Sequence, residues 1–160
     1  MKKLQIETTI TLFNEVQELP KSIQQLMHRA VEAREMAYAP YSKFKVGAAV
    51  LLDNDIVTIG NNQENAAYPS GLCAERVAVF QAKAVYPDRK IKAIAICAAS
   101  PSQELKEPIS PCGSCRQAIA EYENNQQSPI EIYFMGETGS IAKANSIADL
   151  LPFMFTSDYL

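Results

Sequence analysis

The chain has 160 residues, 48% of them hydrophobic, and a formal net charge of −3. A chain of that length suits one domain that buries about 70% of its extended surface without a disulfide scaffold. No apolar run approaches the roughly 20 residues that span a bilayer, and no cluster of Lys and Arg offers a track for polyphosphate, so neither a membrane span nor a nucleic-acid partner is expected. A small neutral substrate fits the acidic balance better. Met1-Lys2-Lys3-Leu4-Gln5-Ile6-Glu7 follows its two lysines with polar and acidic residues rather than an apolar core, which argues against export. Three of the four cysteines are grouped near Glu75, Pro111 and Arg116, which fits metal chemistry in a reducing cytoplasm better than paired disulfides.

Residues 1–20 read as an N-terminal extension of unknown role ahead of a single domain over 21–160. Leu4 to Phe13 partly alternates and could add an edge strand. Ser22-Ile23-Gln24-Gln25 has the form of a capping box, and apolar residues then recur at helical spacing, predicting a helix over about 23–38 that Pro40 stops. Lys45 to Leu52 and Ile56 to Ile59, separated by Asp53-Asn54-Asp55, predict a hairpin. A polar stretch carrying Pro69 and Gly71 leads to Cys73, where a second helix begins and runs to Pro87. Ile91 to Ala98 is a continuous apolar run of strand length, followed by a Pro- and Ser-rich loop over 101–111. Cys112 to Tyr122 predicts a third helix, Ile130 to Met135 and Ile141 to Ala144 two more strands, and Ile147 to Leu151 a short closing helix. The order α-β-β-α-β-α-β-β-α predicts an α/β fold: a three-layer α/β/α domain on a mixed, roughly five-stranded sheet.

Cys73-Ala74-Glu75-Arg76 and Pro111-Cys112-Gly113-Ser114-Cys115-Arg116-Gln117 carry the chemistry. Cys112 and Cys115 are three apart at a helix start, so both sulfurs can face one side, and Cys73 opens another helix that can approach end-on. The partial positive charge of two helix N-termini favours the thiolates that bind metal. Three protein ligands leave zinc a fourth position for water, whose pKa falls towards neutrality; the chain therefore reads as a hydrolytic enzyme with one zinc. Glu75, two residues past the first ligand, can sit beside that water as a proton shuttle; its alternative is an ordinary first-turn Glu stabilising the helix dipole. Arg76 and Arg116 are placed to offset the thiolate charge by hydrogen bonds to ligand sulfurs, with Gln117 among the same outer partners; a surface salt bridge is the other reading for each arginine.

Together with Tyr38-Ala39-Pro40-Tyr41-Ser42-Lys43-Phe44 and Asn62-Gln63-Glu64-Asn65-Ala66-Ala67-Tyr68, these motifs give a chain that resembles the cytidine deaminase family from about Ile23 to the C-terminus. The zinc nucleobase deaminases use His or Cys as first ligand and a Glu as acid and base. The resemblance implies deamination of cytidine and deoxycytidine in pyrimidine salvage. It also implies that Asn62 and Glu64 bond the sugar hydroxyls, that Phe44 packs near the base, and that Ala74 offers backbone to the pyrimidine edge. Leu150-Leu151-Pro152-Phe153-Met154-Phe155 resembles the family's C-terminal segment, implying that Phe155, like Tyr68, acts across a subunit interface. A Cys rather than a His at position 73 resembles the small homotetrameric class.

Cys112-Gly113-Ser114-Cys115 alone could be a thioredoxin-type dithiol, but that leaves Cys73 and Glu75 unexplained. A structural zinc knot would need Cys97 or the lone His28 as fourth ligand, and these suit core packing and a solvated helix face respectively. Among enzymes, the alternative substrates are another aminopyrimidine or a base in RNA.

Overall fold

The computed structural model describes residues 1–160. In chain order the elements are β1 (Ile10–Phe13), α1 (Lys21–Glu35), β2 (Lys45–Leu52), β3 (Val57–Asn61), α2 (Ala74–Val85), β4 (Ile91–Ala99), α3 (Gly113–Gln126), β5 (Glu131–Met135) and β6 (Ile141–Ala144). The strands form one sheet in the order β1-β6-β5-β4-β2-β3, in which β4 and β5 run parallel and every other pair antiparallel. The parallel pair is joined through α3, the crossover that a parallel connection requires. No helix is long and apolar enough to cross a membrane.

Strand periodicity divides the core between two faces. Ala93, Ala95 and Cys97 of β4 pack with Tyr133 and Met135 of β5 against Leu26, Met27 and Ala30 of α1. The alternate residues Ile94, Ile96, Ile132 and Phe134 pack with Ala78, Val79 and Ala82 of α2 and Ile119 of α3. A central strand covered on both faces has no solvent side, which is why β4 reads as a continuous apolar run. The three-layer expectation holds.

Four details differ from expectation. The sheet has six strands rather than about five, because β1 pairs with β6 from Ile10↔Ala144 to Phe13↔Ile141 and becomes the edge. Ser22 does not cap α1: the helix begins at Lys21 behind Pro20, whose carbonyl accepts from Ile23 N and Gln24 N at 2.9 Å each. Proline's fixed φ is already set for helix entry, so the chain turns two residues before the Ser. α3 runs past Tyr122 to Gln126, whose side-chain amide bonds both the N–H and the carbonyl of Ile91 at 2.9 Å and so receives the start of β4. The closing segment is a single 3₁₀ turn over Ile147–Asp149, capped by the Ser146 hydroxyl.

Two glycines set the distance between helices and sheet. A Cβ at Gly47 would lie 2.0 Å from the Ala30 carbonyl oxygen, and one at Gly60 would lie 2.4 Å from Ala78 N and 2.6 Å from the Ala74 carbonyl oxygen. The first contact seats α1 on β2. The second draws the opening turn of α2, with Glu75, onto β3.

Candidate metal centre and active site

The sulfurs of Cys73, Cys112 and Cys115 lie within 4.8 Å of one another. Cys73 and Cys112 are the N-cap residues of α2 and α3, both in extended conformation, and Cys115 lies in the first turn of α3. Cys73 Sγ is 3.8 Å from Cys112 Sγ, which is 3.5 Å from Cys115 Sγ. A disulfide would bring two sulfurs to about 2 Å. Tetrahedral zinc with Zn–S bonds of about 2.3 Å holds its sulfurs about 3.8 Å apart, so the donor set fits zinc in spacing and in chemistry. A fourth protein ligand is not at hand: Cys97 is fully buried on the opposite face of β4, and His28 is an exposed residue of α1 beside Glu32.

The thiols are electrostatically unequal. Cys73 is lowered to about 5, chiefly because the Cys115 thiol donates to it, with Arg76 and Cys112 adding hydrogen bonds. Cys115 is pushed up because it holds the shared proton and is buried near Glu75. Arg76 Nη2 stands 3.9 Å from Cys73 Sγ, in keeping with a role in offsetting thiolate charge, while its Nε is buried without a partner.

Glu75 is 4% exposed, and its carboxyl is raised above the ordinary range, first by burial and then by the negative charge of Cys73. It shares a cavity of about 850 Å³ with Cys73, Arg76 and Cys112. Phe44, Asn62, Glu64 and Tyr68 line the same cavity, so all four motifs contribute to one space. Ala74, the first residue of α2, is fully buried and does not line it.

Asn62 is engaged with backbone: its amide donates to the Phe44 carbonyl at 2.9 Å and accepts from Val46 N at 2.8 Å. It thereby fixes Phe44 at the start of β2. Glu64 accepts from Tyr41 N, Ser42 N and the Ser42 hydroxyl. Its carboxyl is held below the usual range, mainly by the Ser42 hydroxyl.

Two outer positions depart from expectation. Arg116 makes no bond to a ligand sulfur. Its guanidinium donates to the Pro111 carbonyl at 2.8 Å, the Leu150 carbonyl at 2.8 Å and the Ser110 hydroxyl at 3.0 Å, so it ties the loop before Cys112 to the C-terminal segment. The physical reason is direction: the planar fork is aimed at two carbonyls and a hydroxyl of the flanking loop and C-terminal segment, away from the sulfurs. Gln117 likewise turns away, donating to the Phe155 carbonyl at 2.7 Å and accepting from Phe155 N at 3.3 Å. Phe155 is 58% exposed and stacked on Tyr159 at 5.8 Å; it does not line its own chain's cavity. Replacing Arg116 with Ala should lower stability by about 1–3 kcal/mol by orphaning these acceptors, with zinc content unchanged. Denaturant unfolding beside metal analysis checks this.

Sequence reasoning passed over Ser42, Ile109 and Ser110, which also line the cavity. Ser42 could have been found, since a Ser two residues before an anchored Phe is a known turn former. Ile109 and Ser110 carry no local signal beyond preceding Pro111.

The model of the cytidine and deoxycytidylate deaminase zinc-binding region matches residues 20–127. The chain is 41% identical over 139 residues to a cytidine deaminase of Sporosarcina psychrophila, covering 86% of this chain and 94% of that one. A cytidine deaminase of Halalkalibacterium halodurans is 40% identical, with 84% and 95% covered. Among solved structures, the cytidine deaminase of Burkholderia pseudomallei superposes with a TM-score of 0.71 at 40% identity, over 82% of this chain and 97% of that one. The three-cysteine centre, its buried carboxylate and these likenesses agree: the chain belongs to the cytidine and deoxycytidylate deaminase family of zinc-binding proteins.

Proposed function

We propose that this chain is a zinc-dependent hydrolase that converts cytidine and deoxycytidine to uridine and deoxyuridine with release of ammonia. The observation that carries the reading is the buried Glu75 carboxyl sharing a cavity with Cys73 and Cys112, two of the three clustered metal-competent sulfurs. Cys73, Cys112 and Cys115 would hold one zinc per chain. Bound there, zinc supplies Lewis acidity that makes hydroxide available near neutral pH.

The chain's own residues do the rest. Burial raises the Glu75 carboxyl above its ordinary range, which makes it a stronger base for accepting a proton that it must later return. Glu75 takes a proton from water and delivers it to the ring nitrogen as the hydroxide oxygen bonds to the amino-bearing carbon; it then takes the proton of that new hydroxyl and passes it to the amino group, which leaves as ammonia as the C–N bond breaks and the carbonyl forms. Phe44 packs beside the base, held there by the Asn62 amide. Glu64 accepts a sugar hydroxyl, and Asn62 supports that contact. Arg76 offsets thiolate charge.

The assembly reading is a homotetramer in which Tyr68 and Phe155 reach a neighbouring subunit's site. Its support is family resemblance, together with aromatic surface that a lone chain leaves in water: Tyr68 is 79% and Phe153 77% exposed. An active monomer in sedimentation would remove it. Four unpaired cysteines favour a reducing cytoplasm, and a nucleoside substrate suits pyrimidine salvage.

The deciding experiment is ultraviolet-monitored turnover of cytidine with zinc measured in the same sample and cytidine monophosphate and adenosine alongside. Cytidine loss with one zinc per chain is the expected result. Glu64 would repel a phosphate, so the monophosphate should be used at least about tenfold less efficiently. Stoichiometric zinc without cytidine turnover would overturn the substrate assignment and move it to another aminopyrimidine or to a structural metal.

A further inference from the structure

The Tyr41–Phe44 turn and Glu64 form a closed hydrogen-bond unit on the wall of the cavity. Tyr41 N and Ser42 N donate to Glu64 Oε2 at 2.8 and 3.3 Å. The Ser42 hydroxyl donates to the other oxygen, Oε1, and accepts from Phe44 N at 3.0 Å. That last bond matters, because with an N–H on its lone pair the hydroxyl is left to send its proton to the carboxylate. Glu64 N also donates to the Tyr38 carbonyl at 2.9 Å, so the backbone of Glu64 is tied to the segment that leads into the turn its side chain binds. Lys43 takes a left-handed φ of 58°, which folds the chain so that the Ser42 hydroxyl lies between Phe44 N and Glu64.

A carboxylate offers about four acceptor sites. Three are filled here, two on Oε2 and one on Oε1, which leaves a single site on Oε1. We propose that Ser42 is a positioning residue that fixes the Glu64 carboxylate so that its one remaining acceptor site takes a single sugar hydroxyl, one that cytidine and deoxycytidine both carry. This rests on the nucleoside reading above and adds to it which turn residue sets the geometry. A hydroxyl common to both sugars is the 3′ or the 5′ hydroxyl. Without Ser42, Oε1 loses its only internal donor and the carboxylate is held at one oxygen, free to rotate and to spend Oε1 on water.

The test uses zinc-loaded protein and four substrates: cytidine, deoxycytidine, 3′-deoxycytidine and 5′-deoxycytidine. Ser42→Ala should lower kcat/KM about tenfold on cytidine and deoxycytidine, mainly through KM with kcat within about twofold, since a hydrogen bond to a charged group is weakened rather than a reacting group removed. On the one analogue that lacks the hydroxyl Glu64 accepts, the loss should shrink to less than about twofold. Ser42→Thr, which keeps the hydroxyl, should restore most of the efficiency. An equal loss on all four substrates would make Ser42 merely structural, and no loss on any would overturn the role outright. Glu64→Gln separates this from the reading beneath it. If Glu64→Gln is selective for the same hydroxyl and Ser42→Ala is not, Ser42 alone fails; if Glu64→Gln leaves all four substrates unchanged, the sugar contact of Glu64 fails with it.

Discussion

Glu75→Gln is expected to lower kcat on cytidine by about a thousandfold or more while zinc content and fold are retained, the upper range for loss of a positioned acid–base group. The substitution keeps shape and hydrogen-bonding reach but removes the ability to carry a proton. Glu75 is 4% exposed, and burial is the first cause of its raised pKa, so the native carboxylate is the costly form and a neutral amide relieves that cost. Stability should therefore hold or rise slightly. The side chain lies on the second residue of α2, one residue past Ala74 and two past the N-cap Cys73. Steady-state kinetics with metal analysis and thermal melting on one preparation decides the matter. Turnover within about tenfold of the parent would sink the proton-carrying role; loss of zinc would instead make Glu75 a structural support of the centre.

Gly60→Ala should cost about 3 kcal/mol or more and remove most activity with it. A Cβ there meets backbone at 2.4 and 2.6 Å, and helix backbone cannot swing aside as a flexible side chain can. Relief requires α2 to lift from β3 at its first two turns, where Thr58 also donates to the Ala78 carbonyl at 3.3 Å. That movement carries Cys73 and Glu75 away from Cys112 and Cys115 on α3. Gly47→Ala is the control: its Cβ would lie 2.0 Å from the Ala30 carbonyl oxygen, under α1 on the other face of the sheet. It should destabilise by a similar amount, yet the fraction that stays folded should keep its zinc and its kcat. Against a total of about 5–15 kcal/mol, either loss is readily seen in denaturant unfolding. Zinc binding and kcat unchanged in Gly60→Ala would show that α2 can be seated on β3 without the close approach.

The elements most legible in advance were those whose pattern is local. β4 is apolar throughout because both faces are covered, and α2 and α3 open at cysteines whose thiols cluster with the metal-ligand spacing expected of them. Local signals also misled. Ser22-Ile23-Gln24-Gln25 has the letters of a capping box, but Pro20 starts the helix first. Ile147 to Leu151 has helical composition, but only one turn forms before the chain runs on to Pro152. Arg116 and Gln117 sit beside Cys115 in sequence, yet successive helical residues point in different directions, and both reach the C-terminal segment instead of the sulfurs.

By itself the sequence determined the class of chemistry: two cysteine motifs with a Glu two residues past the first ligand specify the donor atoms, the ligand count and a candidate proton carrier, all of which follow from residue type and short spacing. Only the tertiary structure decided that Glu64 is bound by a turn 22 residues earlier in the chain, that Asn62 spends its amide on Phe44 and Val46, and that β1 closes the β6 edge. These are contacts between distant segments. The first two depend on the close seating of α1 and α2 on a sheet that brings residues 41–46, 62–76 and 109–112 to one cavity, and no local pattern encodes that distance.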